Sequence, residues 1–461
     1  MKRLFDLFRE SLRDTERDYT SMGVRRAIVL LSIPMILEMG MEALFALVDL
    51  YWVGHLGDAA TATIGLTESL LMTTYCIAWG LAMGATAVVA RRTGEKDNAG
   101  MRTAAGQSVM IALSIGVVLS VVGGIFSTQL LQLMGASSEV LAMGSDYSFI
   151  MQLSNVIIML LFSVNAVFRG AGNASMALRS LGLANLVNII LDPLLILGIG
   201  PFPELGVTGA AVATTIGRSC GVLFQLYFLF HRNGPFALKA QHLRPLRDVI
   251  MSIVKVSTGS VGQFLIASAS WTVLVRIIST TGTEAVAGYT AAMRIVIFTL
   301  LPAWGMANAA ATLVGQNLGA KQPDRAHRSV WLCGHYNMVF MVAVAMIFWL
   351  AAEVIVPFFG NSPAANAYAV DALHIISLGY FFYGYGMVLA QAFNGAGDSL
   401  TPTWMNVVCF WCIEIPLAWL LAVHFGLGPN GAFISVAVSE SALAVLSAVL
   451  FQRGTWKLMK V

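Results

Sequence analysis

The sequence predicts an all-α integral membrane protein with twelve transmembrane helices in two six-helix lobes that repeat in parallel. Three observations support this fold class. Apolar residues make up 57% of the chain and charged residues only 11%, whereas about a quarter of the residues in a soluble domain are charged. Apolar stretches long enough to cross a bilayer follow one another along the chain. Residues 31–102 recur, 225 positions later, as residues 256–327.

The internal repeat is carried by small and aromatic residues. Its centre is Ala78-Trp79-Gly80, which recurs as Ala303-Trp304-Gly305, and the same offset relates Gly94 to Gly319. Farther along, Phe168-x-Gly170-Ala171-Gly172 recurs as Phe393-x-Gly395-Ala396-Gly397. Self-similarity over hundreds of residues, rather than the 20 to 50 of a solenoid, predicts two lobes of one design.

Each predicted span is an apolar stretch of about 20 residues or more, the length that crosses the hydrocarbon core. Turn-forming segments such as Gly94-Glu95-Lys96-Asp97-Asn98 and Gly200-Pro201-Phe202-Pro203 separate them. The spans lie roughly at 26–55, 58–90, 101–125, 139–167, 176–198, 207–231, 247–280, 283–315, 327–356, 365–393, 401–423 and 429–452.

Basic residues predict the orientation. Of the 27 Lys and Arg residues, 23 lie in the terminal segments or in the connections after spans 2, 4, 6 and 8. The positive-inside rule therefore places both termini in the cytoplasm. The predicted domains are a cytoplasmic segment (1–25), an N-lobe (26–231), a cytoplasmic linker (232–246), a C-lobe (247–453) and a cytoplasmic tail (454–461).

The first 22 residues contain charges throughout, so they lack the apolar core of a signal peptide. Four apolar side chains fall on one helical face, and basic residues lie between them in the sequence. The apolar residues are Leu4, Phe5, Phe8 and Leu12. Two interpretations stay open: an amphipathic helix on the inner membrane surface, or a solvated tail.

Ionisable residues within predicted spans are candidates for function, because a charge at bilayer depth costs about 2.5–3.5 kcal/mol. The acids are Glu38, Glu42, Asp49, Glu68, Asp192, Glu414 and Glu440, and the cations are Arg218, Lys255, Arg276 and Arg294. Glu414 lies two residues before Pro416. Two interpretations stay open for it: a functional acid of the second lobe, or a structural acid with buried partners.

Four of the polar residues predict a site for H⁺ or Na⁺: Asp49, Asn188, Asp192 and Thr214. Counted at about 1.5 Å per residue from the predicted outer ends, Asp49, Asp192 and Thr214 lie at one depth on three spans. Asn188 is four residues before Asp192 and shares its helix face. Pro193 frees the carbonyl of the residue one turn before it, which adds an oxygen ligand. Hard oxygen ligands suit Na⁺, and paired carboxylates can share a proton. The alternative is that Asp192-Pro193 is only a kink.

A second group predicts a substrate cavity. Glu38 and Glu42 lie on the same stripe of span 1 as Asp49, Glu68 lies on span 2, and Arg294 belongs to the second lobe. Such acids must face water or buried partners rather than lipid. The alternative is that Arg276 and Arg294 neutralise them across the lobes.

Other chemistry finds little support in the sequence. The five cysteines lie in apolar segments, and the seven histidines lack metal-ligand spacing. A net charge of +3 gives no reason to expect a nucleic acid partner. We expect no cofactor and no metal beyond Na⁺ at the cation site, and a membrane-embedded enzyme would need a nucleophile, base or metal cluster that is not visible.

The chain resembles the multidrug and toxic compound extrusion (MATE) family. The resemblance rests on several motifs over nearly the whole chain: Leu31-Ser32-Ile33-Pro34, Val48-Asp49-Leu50-Tyr51-Trp52-Val53, Phe168-Arg169-Gly170-Ala171-Gly172, Asn188-Ile189-Ile190-Leu191-Asp192-Pro193 and Gly206-Val207-Thr208-Gly209-Ala210-Ala211. Asp49, Asn188, Asp192 and Thr214 look like the amino-lobe cation site of its prokaryotic DNA-damage-inducible-type branch. The segment Gly262–Ser268 lacks the acid that another branch carries in span 7.

This resemblance implies a V-shaped monomer in the prokaryotic cytoplasmic membrane. It implies alternating access and export of amphiphilic, often cationic drugs in exchange for H⁺ or Na⁺. From the residues themselves we expect Pro34 to act as a hinge of span 1 and Pro193 to kink span 5. The alternative within the same superfold is a lipid-linked oligosaccharide flippase, which needs a cationic cavity. The acidic stripe of span 1 argues against it.

Overall fold

The computed structural model describes residues 2–13, 17–231, 234, 236–359 and 362–461; the side chains of residues 2–5, 46–47, 49–50, 58 and 359 lie outside this description. The described residues form helices and connections, without a β-strand among them. The α-helices are α1 (Lys2–Ser11), α2 (Val24–Gly54), α3 (Asp58–Gly94), α4 (Asn98–Ile125), α5 (Ser127–Leu133), α6 (Ser138–Leu153), α7 (Asn155–Gly170), α8 (Ala174–Ile196), α9 (Val207–Phe230), α10 (Arg247–Ser279), α11 (Thr283–Gly319), α12 (Pro323–Ile355), α13 (Pro363–Ser377), α14 (Tyr380–Ala396), α15 (Leu400–Asn406), α16 (Ile415–Trp419) and α17 (Pro429–Arg453).

The predicted all-α fold with up to twelve transmembrane spans is confirmed, and the orientation of the termini stays a prediction. Eleven helical spans in the described part of the chain are long and apolar enough to cross a membrane, and the bent pair α13–α14 makes a twelfth. Span 4 combines α6 and α7, and span 11 runs from Leu400 to His424. Spans 1–6 and spans 7–12 are called the first half and the second half below.

The two halves meet through equivalent positions of the repeat. A Cβ atom on Gly80 of α3 would lie 2.6 Å from the backbone nitrogen of Val261 in α10. A Cβ atom on Gly305 of α11 would lie 2.8 Å from the backbone nitrogen of Ile36 in α2. Gly80 and Gly305 are one repeat apart, and so are Ile36 and Val261. The repeat therefore describes an interface with two-fold pseudosymmetry, in which glycine lets helix backbones touch.

The same symmetry closes the side of the molecule on which the termini lie. A Cβ atom on Gly94 would lie 1.9 Å from the carbonyl oxygen of Gln316, and one on Gly319 would lie 2.2 Å from that of Arg91. The equivalent rings of Trp79 and Trp304 also meet, with centroids 5.7 Å apart. We call the Gly94–Gly319 end of the interface the closed side.

The N-terminal segment packs against protein on the closed side, which neither sequence-based interpretation anticipates. Arg26 forms an ion pair with Glu10 of α1 at 2.8 Å. Tyr19 is only 2% exposed, and its carbonyl oxygen accepts a hydrogen bond of 2.8 Å from Arg325 of the second half. The backbone carbonyl oxygens of the segment thus accept hydrogen bonds from the protein, and the pattern of charges in the sequence does not predict these contacts. Leu4 and Phe5 of the predicted apolar face have side chains outside the described residues.

The C-terminal tail connects the halves in the opposite direction. Trp456 is completely buried, and Val461 packs against the hydrophobic core of the first half. Arg91 of the first half donates a hydrogen bond of 2.8 Å to the carbonyl oxygen of Met459. Each terminal segment is therefore held by an arginine from the opposite half.

Two spans of the second half depart from regular α-helix. The axes of α13 and α14 form an angle of 63° where the two helices meet. Span 11 contains π-helical turns at Val407–Glu414 and Leu420–His424. Departures of this kind are found in many functional sites, because they reorient side chains within a helix.

Candidate functional site

Three of the four residues predicted to hold a cation meet in the first half. The side-chain amide nitrogen of Asn188 donates hydrogen bonds to Oδ1 of Asp192 at 3.1 Å and to Oγ1 of Thr214 at 3.4 Å. Asn188 and Asp192 have no measurable exposure, and Thr214 is 3% exposed. The structure thus joins α8 and α9 through a buried carboxylate, amide and hydroxyl.

Local sequence explains how the two helices approach so closely. Asn188 and Asp192 are four residues apart and therefore share a face of α8. Gly217 of α9 lies against that face: a Cβ atom on it would be 2.7 Å from the carbonyl oxygen of Ala184. Pro193 lies inside α8 without ending the helix, and it cannot donate to the carbonyl of Ile189.

Helix α2 is tied to the same face of α8. Asn185 donates a hydrogen bond of 2.7 Å to the carbonyl oxygen of Met41 in α2. Asp49 lies in α2 beyond Met41, and its side chain lies outside the described residues. Its membership of the cation site therefore stays a prediction.

Glu38 pairs with an arginine of the first half. Its Oε1 lies 3.2 Å from Nη1 of Arg169, and the two side chains are only 2% and 5% exposed. The alternative prediction placed its partner in the second half, at Arg276 or Arg294. In this conformation Glu38 is covered by protein rather than open to a cavity.

Glu42 is surrounded by cations of the same half. It interacts electrostatically with Arg218 and Arg169. The guanidinium of Arg218 lies over the rings of Phe45 at 5.0 Å and Tyr75 at 5.9 Å. Aromatic faces attract a cation in a dry environment, so Arg218 is held between an acid and two aromatic rings.

The remaining predicted cavity residues are accessible. Glu68 of α3 and Arg294 of α11 are both exposed in the structure. Glu68 also interacts electrostatically with Tyr75, so it belongs to the same charged neighbourhood as Arg218. Pro34 lies within α2 beside the contact of Gly305 with Met35.

Two residues of this region were missed from the sequence. Arg169 was assigned to the motif at a helix end, yet it is 4% exposed and reaches the interior. Asn185 was missed because it carries no charge. It lies three residues before Asn188, and this spacing places both on the same face of α8.

The arrangement provides oxygen atoms for a small hard cation or for a proton. Oδ1 of Asn188 is buried and has no hydrogen-bond partner among the described residues. A buried acceptor without a donor is costly unless a ligand satisfies it. Together with the carboxylate of Asp192 and the hydroxyl of Thr214, it is a suitable ligand for Na⁺.

Comparisons with known proteins show the family of this chain. A sequence model of the MatE family matches residues 34–194 and again residues 260–420, once in each half. The protein named "Probable multidrug resistance protein NorM" of Thermotoga maritima is 26% identical over 437 residues, which cover 94% of this chain and 93% of that protein.

Two further similar proteins have different names. An FAD transporter of Shewanella oneidensis is 23% identical over 433 residues, covering 94% of this chain and 95% of that protein. A solved transporter of the MOP superfamily from Pyrococcus furiosus superimposes with a TM-score of 0.89 at 26% identity, covering 96% of this chain and 98% of that one. Because the family model matches both repeats and most of the sequence, the chain belongs to the MatE family of multidrug and toxic compound extrusion transporters.

Proposed function

We propose that this protein exports amphiphilic, cationic compounds in exchange for H⁺ or Na⁺ by alternating access, with both termini in the cytoplasm. The observation that carries the proposal is the buried cluster of Asn188, Asp192 and Thr214, which has an acceptor left for a ligand. An ionisable group at this depth is a functional candidate by default.

In the proposed cycle the cation binds at Asp192 together with Asp49 and reduces the negative charge between α2 and α8. Helix α2 then repacks, with Pro34 as its hinge, and this change favours release of the drug. Coupling requires that the cation and the drug favour different conformations, because a ligand shifts an equilibrium only through differential affinity.

The exposed acid Glu68 and the acidic environment of Arg218 support a cationic substrate. Glu42 and Glu68 both interact electrostatically with Tyr75, which also lies beneath Arg218. An aromatic ring with acids beside it attracts an organic cation through charge and through its face. The relative from Thermotoga maritima carries a multidrug resistance name, which supports export of drugs.

Drug efflux from proteoliposomes tests the proposal directly. Efflux of a fluorescent organic cation is measured with an imposed Na⁺ gradient and, separately, with an imposed H⁺ gradient. We expect one gradient to drive efflux and Asp192→Asn to abolish the gradient-dependent part. Equal gradient-driven efflux by wild type and Asp192→Asn would overturn the mechanism.

A matched control separates this effect from a general loss of charge. Asp146 of α6 is an exposed aspartate of the same half, so Asp146→Asn makes the same chemical change away from the cluster. It should transport like the wild type. Thr214→Ala should weaken the response to the driving cation, since it removes one oxygen ligand.

A further inference from the structure

The second half contains a pair of acids, Glu414 and Glu440, that the proposed cycle does not use; Glu414 is buried and Glu440 is partly buried. Glu414 lies at the end of the π-helical turns of span 11, and Oε2 of Glu414 accepts a hydrogen bond of 2.7 Å from the Ser439 hydroxyl. Glu440, the next residue of α17, interacts electrostatically with Glu414. The two carboxyl groups therefore lie close enough to influence each other's charge.

Glu440 lines a small cavity. The cavity has a volume of about 70 Å³ and is bordered by α11, α14 and α17, with Tyr380 and Tyr383 beside Glu440. Oε2 of Glu440 is buried and has no hydrogen-bond partner among the described residues. About 10–15 Å³ is enough space for one water molecule, so the cavity can hold water beside the Glu440 side chain.

The cavity lies at a break in a transmembrane span. Gly379, which separates α13 from α14, is one of its lining residues, and the two helix axes differ by 63° there. Discontinuous spans line the ion and substrate sites of many secondary transporters. The helix break is independent of the acids, and it too indicates a binding site at this cavity.

The groups facing the pair come from three elements and include no basic side chain among the described contacts. Electrostatic interactions with one or both acids are made by Tyr289 of α11, Tyr380 and Tyr383 of α14, and Cys409 of span 11. Two carboxylates without a cation cannot both be ionised in a dry interior. Glu414 already accepts a donor hydroxyl, which favours its charged form, whereas Oε2 of Glu440 lacks a donor.

We propose that Glu440 is a proton-binding site of the second half, which holds its proton at neutral pH and exchanges it with water in the cavity beside Gly379. This site goes beyond the proposed function, whose coupling ion binds in the first half. The proton on Glu440 neutralises one acid of the pair, and Glu414 keeps its hydrogen bond from Ser439. A change in the α13–α14 bend would alter access to the site.

Infrared spectroscopy of the full-length protein in liposomes tests the proposal. A protonated carboxyl group gives a carbonyl stretch that shifts on exchange into ²H₂O, and a carboxylate does not. We expect the wild type at neutral pH to show this band, Glu440→Gln to lose it, and Glu414→Gln to retain it. Glu353→Gln, which changes an exposed glutamate of α12, is the matched control and should keep the band.

Three results would overturn the assignment: no such band in the wild type, an unchanged band in Glu440→Gln, or disappearance of the band when Na⁺ replaces choline. The last result would show that Na⁺ displaces the proton. Asp192→Asn distinguishes this proposal from the first one. It should retain the infrared band while losing gradient-driven efflux, so either proposal can fail alone.

Discussion

The two halves of this transporter share a scaffold and differ in how they neutralise buried acids. In the first half, Glu38 is paired with Arg169 at 3.2 Å. In the second half, Glu414 accepts a hydrogen bond of 2.7 Å from the Ser439 hydroxyl, and its ionisable neighbour is a second acid, Glu440. The repeat therefore preserves helix contacts, while each half has its own electrostatics.

This difference has an energetic consequence. A buried ion pair is costly to form, but removing one partner costs more, because the other charge is left in a medium of low dielectric. A carboxyl group that binds a proton avoids that cost by becoming neutral. Substitutions that remove charge should therefore harm the first half and be tolerated in the second.

The largest effect is expected from Arg169→Met. The variant leaves Glu38 buried without its cation, and breaking such a pair typically costs about 3–5 kcal/mol. We expect a pronounced loss of thermal stability in detergent, measured by the temperature at which the monodisperse peak in size-exclusion chromatography disappears.

The double variant Glu38→Leu/Arg169→Met is the control for this prediction. It removes both charges together, and replacing a buried pair with apolar residues is often neutral or stabilising. Its stability should recover towards that of the wild type. A double variant as unstable as Arg169→Met would show that the arginine acts through contacts other than the ion pair.

The next effect tests what the halves share. Gly80→Ala and Gly305→Ala place a Cβ atom against the backbone of the opposite half, at 2.6 Å from the nitrogen of Val261 and from the carbonyl oxygen of Met35, respectively. Overpacking of this kind costs about 1–3 kcal/mol. We expect both variants to loosen the closed side by similar amounts, measured as increased labelling of a cysteine introduced at Ala90, which a Cβ atom on Gly315 would approach at 2.7 Å.

Gly65→Ala is the matched control, since it changes a glycine of the same helix with no atom within 4 Å of the new Cβ. It should leave labelling unchanged. A large effect of Gly80→Ala together with none of Gly305→Ala would show that the two equivalent contacts differ in energy despite their common geometry.

Much of this architecture was predictable from sequence, because the signals are periodic or repeated. Span lengths, their number and the 225-residue repeat follow from hydropathy and identity at fixed spacing. Asn188, Asp192 and Thr214 were predicted as neighbours from helix depth, and the structure brings their side chains together.

Partner choice was not predictable in the same way. Arg169 and Arg276 are both cations near helix ends, and sequence alone gives no distance from either to Glu38. The burial of Tyr19 under Arg325 depends on backbone carbonyl oxygens, which carry no sequence signal. The cavity beside Glu440 depends on the α13–α14 bend, which hydropathy does not report.

A smaller effect sharpens the comparison from the second half. In Glu414→Gln the amide oxygen can still accept the hydrogen bond from Ser439, and no cation loses a partner. The net contribution of one such hydrogen bond is about 0.5–1.5 kcal/mol, so the change in stability should stay within that range. Chemical or thermal unfolding of Glu414→Gln and Glu38→Gln, measured side by side, checks it. A loss for Glu414→Gln as large as that for Glu38→Gln would contradict the contrast between the halves.

The smallest effect concerns the N-terminal segment, which packs against both halves. Asp18 accepts hydrogen bonds from the backbone and side chain of Thr20 and lies 3.6 Å from Lys96. Burial raises the pKa of Asp18, but the Thr20 hydrogen bonds and the Lys96 charge outweigh it and hold the pKa below 3.8. A carboxyl group with a lowered pKa stabilises the fold above its unfolded pKa, and this contribution is lost as the pH falls through the folded value.

Asp18→Asn should therefore reduce stability by less than about 1 kcal/mol at neutral pH, as expected for an exposed pair. The difference from wild type should begin to shrink as the pH approaches 3.8 and should be lost as the pH falls through the lowered pKa of the folded state. Unfolding measured across this range, with and without high salt, checks both statements, because salt screens an exposed pair. A difference that vanishes well above pH 3.8 would mean that Asp18 is not held in its charged form, and that the N-terminal segment is held by its other contacts, such as the ion pair of Glu10 with Arg26 and the hydrogen bond from Arg325 to the Tyr19 carbonyl.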